Sequence, residues 1–285
     1  MSIRDPNDIK KRVTRDIRKL NQRLLVVAIQ LDKQSRKHGI ARTLPGRILT
    51  SFYRKAVRTS RGIQSLKGER LIEEAWILLR VLLETHVNFF CFLENDPKIM
   101  CQRYADASIL DKLKHLRDVD FYKGTSLASL NPKEKWESLE EEIRTHYSAT
   151  QLKAIRRHGF SGLSFENRAK AVGLKKMYDI CYRIASRSVH MFDPAETSIF
   201  SYYGFKGRGN GRLELLKSRR EQLERNQNML LGKMSYAMAQ LTKNALIEGD
   251  LILLGIGYEK YCDKTMGPVT AGNSEPQGGF YIWRL

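Results

Sequence analysis

Arg80 and Glu84 stand one helical turn apart in Ala75 to Leu93, a stretch that is otherwise mostly apolar. With Glu73 and Asn88 they fall within about 80° of one helix face when each position advances about 100°. A guanidinium and carboxylates on so apolar a helix must be paired or reach a solvated cavity, because an uncompensated buried charge costs several kcal/mol. Two arrangements meet that requirement. Either Arg80 and Glu84 clasp each other and serve structure alone, or Arg80 is a phosphate ligand and Glu84 its orienter or a general base. A second set, Arg183, Ser186, Arg187 and His190, precedes Met191-Phe192-Asp193-Pro194. Arg183 and His190 are about two helical turns apart on one face. An imidazole beside guanidinium groups suits metal-independent RNA cleavage. A neutral histidine takes the 2′-hydroxyl proton or a protonated one supplies the leaving oxygen, while arginine stabilises the charged phosphorane. The competing reading is a helix-terminal histidine favoured by the helix dipole beside a surface arginine pair.

The elements that must position these residues read as helices almost throughout, with hardly any two-residue alternation. Asn7 or Asp8 can cap a first helix with Ile9, Val13, Ile17, Leu20, Leu24, Val27 and Leu31 on one stripe and a stop at Gly39. Pro45 opens a second, with Ile48, Leu49, Phe52, Ala56 and Val57 inward, and Ser60 to Gly68 reads as a connector. Further helices are expected from about Glu69 to Glu94, Lys98 to Val119 and after Pro132, with a loop over Asp120 to Asn131. The helix after Pro132 carries Glu134, Glu137, Glu140, Glu141 and Glu142, most simply a solvated face. A short piece from Ala149 to His158 and a helix over Lys175 to Val189 with Met177, Ile180, Cys181 and Ile184 on its stripe come next. Phe205 to Arg212 reads as a basic glycine loop without the spacing of a nucleotide-binding P-loop, and Leu213 to about Leu246 as a long helix. The tail from Tyr258 ends on Phe280-Tyr281-Ile282-Trp283.

Charge is distributed very unevenly over these helices. Met1 to Arg70 holds nineteen Lys/Arg against five Asp/Glu, a net +14 of the chain's +19. Such an asymmetry points to a polyanion, most plausibly nucleic acid, since each neutralised phosphate releases condensed counterions. An anionic membrane surface and a merely solvated face are the alternatives. The candidate nucleic-acid contacts are Lys10, Lys11, Arg15, Arg18, Lys19 and Arg23 on the first helix and Arg54, Lys55 and Arg58 on the second.

Composition excludes several classes. Arg80, Glu84, His86 and Asn88 interrupt the longest apolar run, so it reads as a core helix and no membrane span is expected. Met-Ser-Ile-Arg-Asp-Pro lacks the apolar stretch of a secretory signal, and Cys91, Cys101, Cys181 and Cys262 form no C-x-x-C pair, so a reducing cytoplasm is expected. The signatures H-E-x-x-H, G-x-S-x-G and G-x-G-x-x-G are missing. No metal ligand set is assigned and no cofactor is expected.

Arg183 to His190, and likewise Arg80 to His86, resemble the R-x(4-6)-H pattern of HEPN-type ribonucleases, although Ile184 and Val81 follow the arginines where many of those enzymes carry a polar residue. The stretch Leu71 to Pro194 also resembles a bacterial helical family of unknown function with an R-x-x-x-E helix and, about a hundred residues on, a tyrosine-bearing helix ending in S-x-x-V-H. Here those are Arg80 and Glu84, then Tyr178 or Tyr182 with Ser186, Val189 and His190. The resemblance implies an all-α, HEPN-like helical bundle and a site of Arg80, Glu84 and His190 joined by Arg183 or Arg187. It also implies a homodimer. The chain is thus expected to be all-α, with a basic helical module over 1–62, a helical core over 63–255 and an irregular tail over 256–285. The expected activity is metal-independent RNA cleavage by an effector or toxin in stress or anti-phage defence, with RNA favoured over DNA and a possible restraining partner. The alternative is a non-catalytic nucleic-acid-binding accessory or scaffold.

Overall fold

The computed structural model describes residues 6–117, 133–182, 186 and 210–254. Every regular element among them is helical. Two compact units are formed, Met1–Phe89 with Lys176–Leu285, and Phe90–Lys175. Residue 62, where the basic module was expected to end, lies inside a continuous helix. The expected tail over 256–285 lies outside the described residues.

In the larger unit, α1 (Pro6–Lys37) packs against α2 (Leu44–Gly68) and α9 (Asn210–Leu241), and α2 also packs on α9. Thr43 starts α2 by accepting the Gly46 N–H, with Pro45 in the first turn, where its missing donor costs nothing. The expected connector from Ser60 is helical instead, because Ser60, Ile63 and Lys67 continue the buried face of Ala56 and Val57. Gly62 is no stop. A Cβ there would sit 2.8 Å from Leu78 Cδ1, so the glycine leaves room for that side chain of the next helix, α3 (Ile72–Leu93).

The true break lies at Arg70. Its φ of 64° and the bonds Leu71 N–H to the Leu66 carbonyl (2.9 Å) and Arg70 N–H to the Lys67 carbonyl (3.3 Å) make a Schellman stop, with arginine where glycine is usual. The same device ends α9 at Lys243, φ 51°, and Asn244 then caps a last helix, α10 (residues 245–254). A single helix to Leu246 was expected. Side chains without a glycine or proline signal make the stop, as Thr242 Oγ also bonds the Met238 carbonyl at 2.8 Å.

Helix α3 has the length and hydropathy of a membrane span, yet 61% of that window is buried inside the molecule. Trp76, Leu79, Leu82, Leu83 and Phe89 are among the largest fully buried side chains, which makes α3 a core helix. His86 lies in this core, with its ring Nδ1 3.0 Å from the Leu230 carbonyl of α9. The second R-x(4-6)-H pair, Arg80 and His86, is therefore not a surface site. Between α2 and α9, Lys67 Nζ meets Glu224 Oε1 at 2.6 Å with both side chains buried, and Gln64 and Gln227 bond each other beside them at 3.1 Å.

The smaller unit contains α4 (Pro97–Arg117), α5 (Lys133–His146), α6 (Ala149–His158) and α7 (Phe165–Ala171). Asp96 caps α4, and Ser148 with Gln151 forms a reciprocal capping box on α6. Leu110, Ile143, Leu152 and Ile155 make its core. The acid run of α5 is only in part a solvated face. Glu137, Glu141 and Glu142 are exposed, but Glu140 is buried and bridged to Arg144 and Arg156. The chain re-enters the larger unit through a short turn, α8 (Lys175–Met177), continued by a π turn over Tyr178–Tyr182. The expected loop over Asp120 to Asn131 lies outside the described residues.

Burial, with Lys233 adding to it, pulls the His86 imidazole down to about 3. The unfolded chain therefore binds the proton first as pH falls. The stabilisation is complete above the ordinary histidine range near 6.5 and is lost as pH drops toward about 3. Urea unfolding should show a midpoint that declines steadily from pH 7 to pH 4.5. His86→Gln, less stable at neutral pH, should show a shallower decline, and an unchanged slope would place the titration elsewhere.

Candidate functional site

Four of the residues singled out by type and spacing meet on the larger unit. Arg80 Nε donates to Glu84 Oε1 at 3.1 Å, one turn along α3. Arg80 Nη2 donates to the Tyr182 hydroxyl at 2.7 Å, and Nη1 to Ser186 Oγ at 3.4 Å, the long end of the range. The guanidinium carbon also lies 4.3 Å from the Tyr182 ring centroid, within cation–π range. Tyr178 stacks on Tyr182 with centroids 4.9 Å apart and planes 20° from parallel. The site is thus a guanidinium flanked by one carboxylate and two hydroxyls, with a tyrosine pair behind it.

The elements explain how this happens. Arg80 and Glu84 are half-buried on α3, on the side turned away from the fully buried Leu79 and Leu82. The π turn adds about one residue to the helical repeat and ends at Tyr182. Such turns are costly and recur at functional sites, and here one carries the aromatic partner of Arg80. Cys181, the neighbour of Tyr182, is buried, accepts from Asn226 at 2.8 Å, and has its thiol pushed up to about 12 by that burial. It anchors the turn to α9 and is chemically quiet.

Exposure distinguishes this cluster from the structural ion pair of the same unit. The side chains of Arg80 and Glu84 are 26% and 40% exposed, against 5% and 7% for Lys67 and Glu224. A solvated pair contributes about 0–1 kcal/mol, whereas removing one partner of a buried pair costs about 3–5 kcal/mol. The Arg80–Glu84 ion pair by itself therefore contributes little stability. Three of the five Arg80 N–H donors are engaged among the described residues, and the planar fork that carries them suits a phosphate.

The remaining expectations separate cleanly. Glu73 is exposed in the first turn of α3 and Asn88 is half-buried. The partners of Arg80 come from the π turn instead. Arg183, Arg187 and His190 lie outside the described residues, as do the side chains of Lys10, Lys11, Arg15 and Arg18 on α1. Lys19 and Arg23 are exposed beside a groove with Leu20, Val26 and Leu253. Lys55 is exposed on α2, and Arg54 and Arg58 line a groove between α1 and α2. Tyr182 as an Arg80 ligand and Lys33, Arg36 and Arg61 in that groove were not selected from the sequence. The signal was present as four-residue spacing, in Tyr178, Tyr182 and Ser186 and in Arg54 and Arg58 followed by Arg61. Among the described residues no three His, Cys, Asp or Glu side chains converge as a metal site.

Residues 46–199 match a family of unknown function, DUF5677, and the chain belongs to that family. The matched stretch runs from the start of α2 past the π turn and includes Arg80, Glu84, Tyr182, Ser186 and His190. No curated protein and no solved structure matches the chain.

Arg80→Ala and Glu84→Ala are each expected to lower unfolding free energy by less than about 1 kcal/mol, whereas Lys67→Ala should cost about 3–5 kcal/mol. Equilibrium urea melts of the three variants decide it. A loss above about 2 kcal/mol for Arg80→Ala would make its cluster a structural clasp.

Proposed function

We propose that this chain is a HEPN-like, metal-independent endoribonuclease, acting as an effector or toxin in stress or phage defence. The observation that carries this reading is the clustering of Arg80, Glu84, Tyr182 and Ser186, which ties the arginine of α3 to the segment that reaches His190 four residues after Ser186. In the reaction, the 2′-hydroxyl oxygen attacks the adjacent phosphorus and the bond to the 5′ oxygen breaks. The products are a 2′,3′-cyclic phosphate and a 5′-hydroxyl. Neutral His190 takes the 2′ proton, and the 5′ oxygen receives a proton from water or from a protonated imidazole. Arg80 faces the charge that grows on the phosphorane oxygens, with Arg183 or Arg187 as a second cation. Glu84 holds the Arg80 fork by its Nε edge and leaves the Nη edge turned toward the hydroxyls and the substrate. The homodimer, the cytoplasmic setting and a restraining partner belong to the same reading.

The second reading, a nucleic-acid-binding accessory protein, is favoured by the basic groove between α1 and α2, which needs no reacting group to be useful. The two part on one assay. With EDTA present, the wild-type chain should cleave RNA to cyclic-phosphate ends, and His190→Ala and Arg80→Ala should each lose at least about a hundredfold in rate while RNA binding stays within about threefold. Cleavage by His190→Ala at the wild-type rate would remove His190 from the mechanism. Binding without cleavage by the wild-type chain would leave the accessory role.

A further inference from the structure

The groove between α1 and α2 has a volume of about 280 Å3 and draws Lys33 and Arg36 from one helix and Arg54, Arg58 and Arg61 from the other. Asp32 is the one carboxylate among the residues lining it. Its side chain is 12% exposed and bridges Arg36 at 3.3 Å and Arg54 at 3.7 Å. Arg36 is fixed a second time by donating from Nε to the Asp32 carbonyl at 3.3 Å. Lys33, Arg58 and Arg61 have no acidic partner among the described residues. Five cations thus share one carboxylate in a narrow seam. Their mutual repulsion is a standing cost that a scattered basic surface would avoid.

We infer that this seam is a track for the phosphodiester backbone of an RNA strand, with Asp32 as the residue that positions two of its arginines. The inference rests on the proposed reading of the chain as an RNA-acting protein and names where that RNA lies. Arg54, Arg58 and Arg61 follow one stripe of α2 and span about 10 Å along its axis at about 1.5 Å per residue. Each of the three guanidinium groups can thus meet its own phosphate along one strand. A space of about 280 Å3 admits phosphates at its mouth and is too small to enclose a base-paired helix. The lining offers guanidinium and ammonium groups over Ile29 and Val57 and no aromatic ring for a base to stack on. The contact it can make is with the backbone and is independent of sequence. An acidic peptide is the competing occupant. The arginine stripe favours phosphate, because the guanidinium fork meets a phosphate's oxygens in pairs and the charges repeat at nearly even steps.

The test uses the full chain and a single-stranded 2′-O-methyl RNA 12-mer, which has no 2′-hydroxyl to react. A protein that never cleaves RNA therefore leaves this measurement intact, and a failed track leaves the cleavage assay intact. Wild-type affinity is measured from 50 to 300 mM salt beside Arg58→Ala/Arg61→Ala, Arg58→Lys/Arg61→Lys and the control Arg42→Ala/Arg47→Ala, all four positions being exposed. The alanine pair in the seam should weaken binding at least tenfold at 150 mM salt. It should also flatten the log–log salt slope by about 1.4, the value for two phosphates of a single strand. The lysine pair should recover most of the slope, and the control should bind within threefold of wild type. Thermal melts that match wild type confirm that the alanine pair is folded. An unchanged slope in the alanine pair, a control that loses as much, or tighter binding of poly-glutamate than of RNA at equal salt each overturns the track.

Discussion

A polar group on the apolar helix α3 must find a partner or water, and most of the larger unit is arranged around that demand. His86 meets it inward, on the Leu230 carbonyl of α9, and becomes a neutral strut of the core. Arg80 meets it outward, on Glu84, Tyr182 and Ser186. The five residues between them place the two side chains on different sides of the same cylinder, so one helix carries both a buried hydrogen bond and a solvent-reaching cation. The neighbouring elements follow. Helix α9 has to lie where Leu230 reaches His86, and the chain has to return beside α3 through a widened turn that carries Tyr182 to Arg80.

Two of the larger unit's ion pairs are of opposite character. Lys67 and Glu224 are dry, supported by Gln64 and Gln227, and hold α2 to α9. Their charges are committed. Arg80 and Glu84 stay in contact with solvent, so neither charge has to be rehydrated for the pair to part. The same logic holds in the smaller unit, where Glu140 is buried beneath Arg144 and Arg156 and belongs to the framework of α5 and α6.

The helical class, the apolar stripes and the pairing of Arg80 with Glu84 were legible because each rests on a period of three or four residues. Helix ends were legible where the signal is a side chain with a known habit, as with Thr43 and Pro45 before α2 and Ser148 before α6. They were illegible at Arg70 and Lys243, since a left-handed residue without glycine is decided by the packing of the helices it joins. Gly62 misled for the converse reason: its small size serves the neighbouring Leu78 and not the backbone. The burial of Glu140 was hidden because its partner Arg156 lies on another helix, sixteen residues away. Tyr182 carried a weak pattern, but its contact with Arg80 depends on a π turn that no residue type announces.

The close approach at Gly62 ties together parts of the chain that otherwise look independent. Arg58 and Arg61 precede that glycine on α2, and Leu78, which rests against it, stands two residues before Arg80 on α3. The spacing between the arginine stripe and the Arg80 fork is thereby tied to how one leucine side chain is seated: the missing Cβ at position 62 makes the room that Leu78 fills, and any larger residue there would push the two helices' polar faces to a different separation.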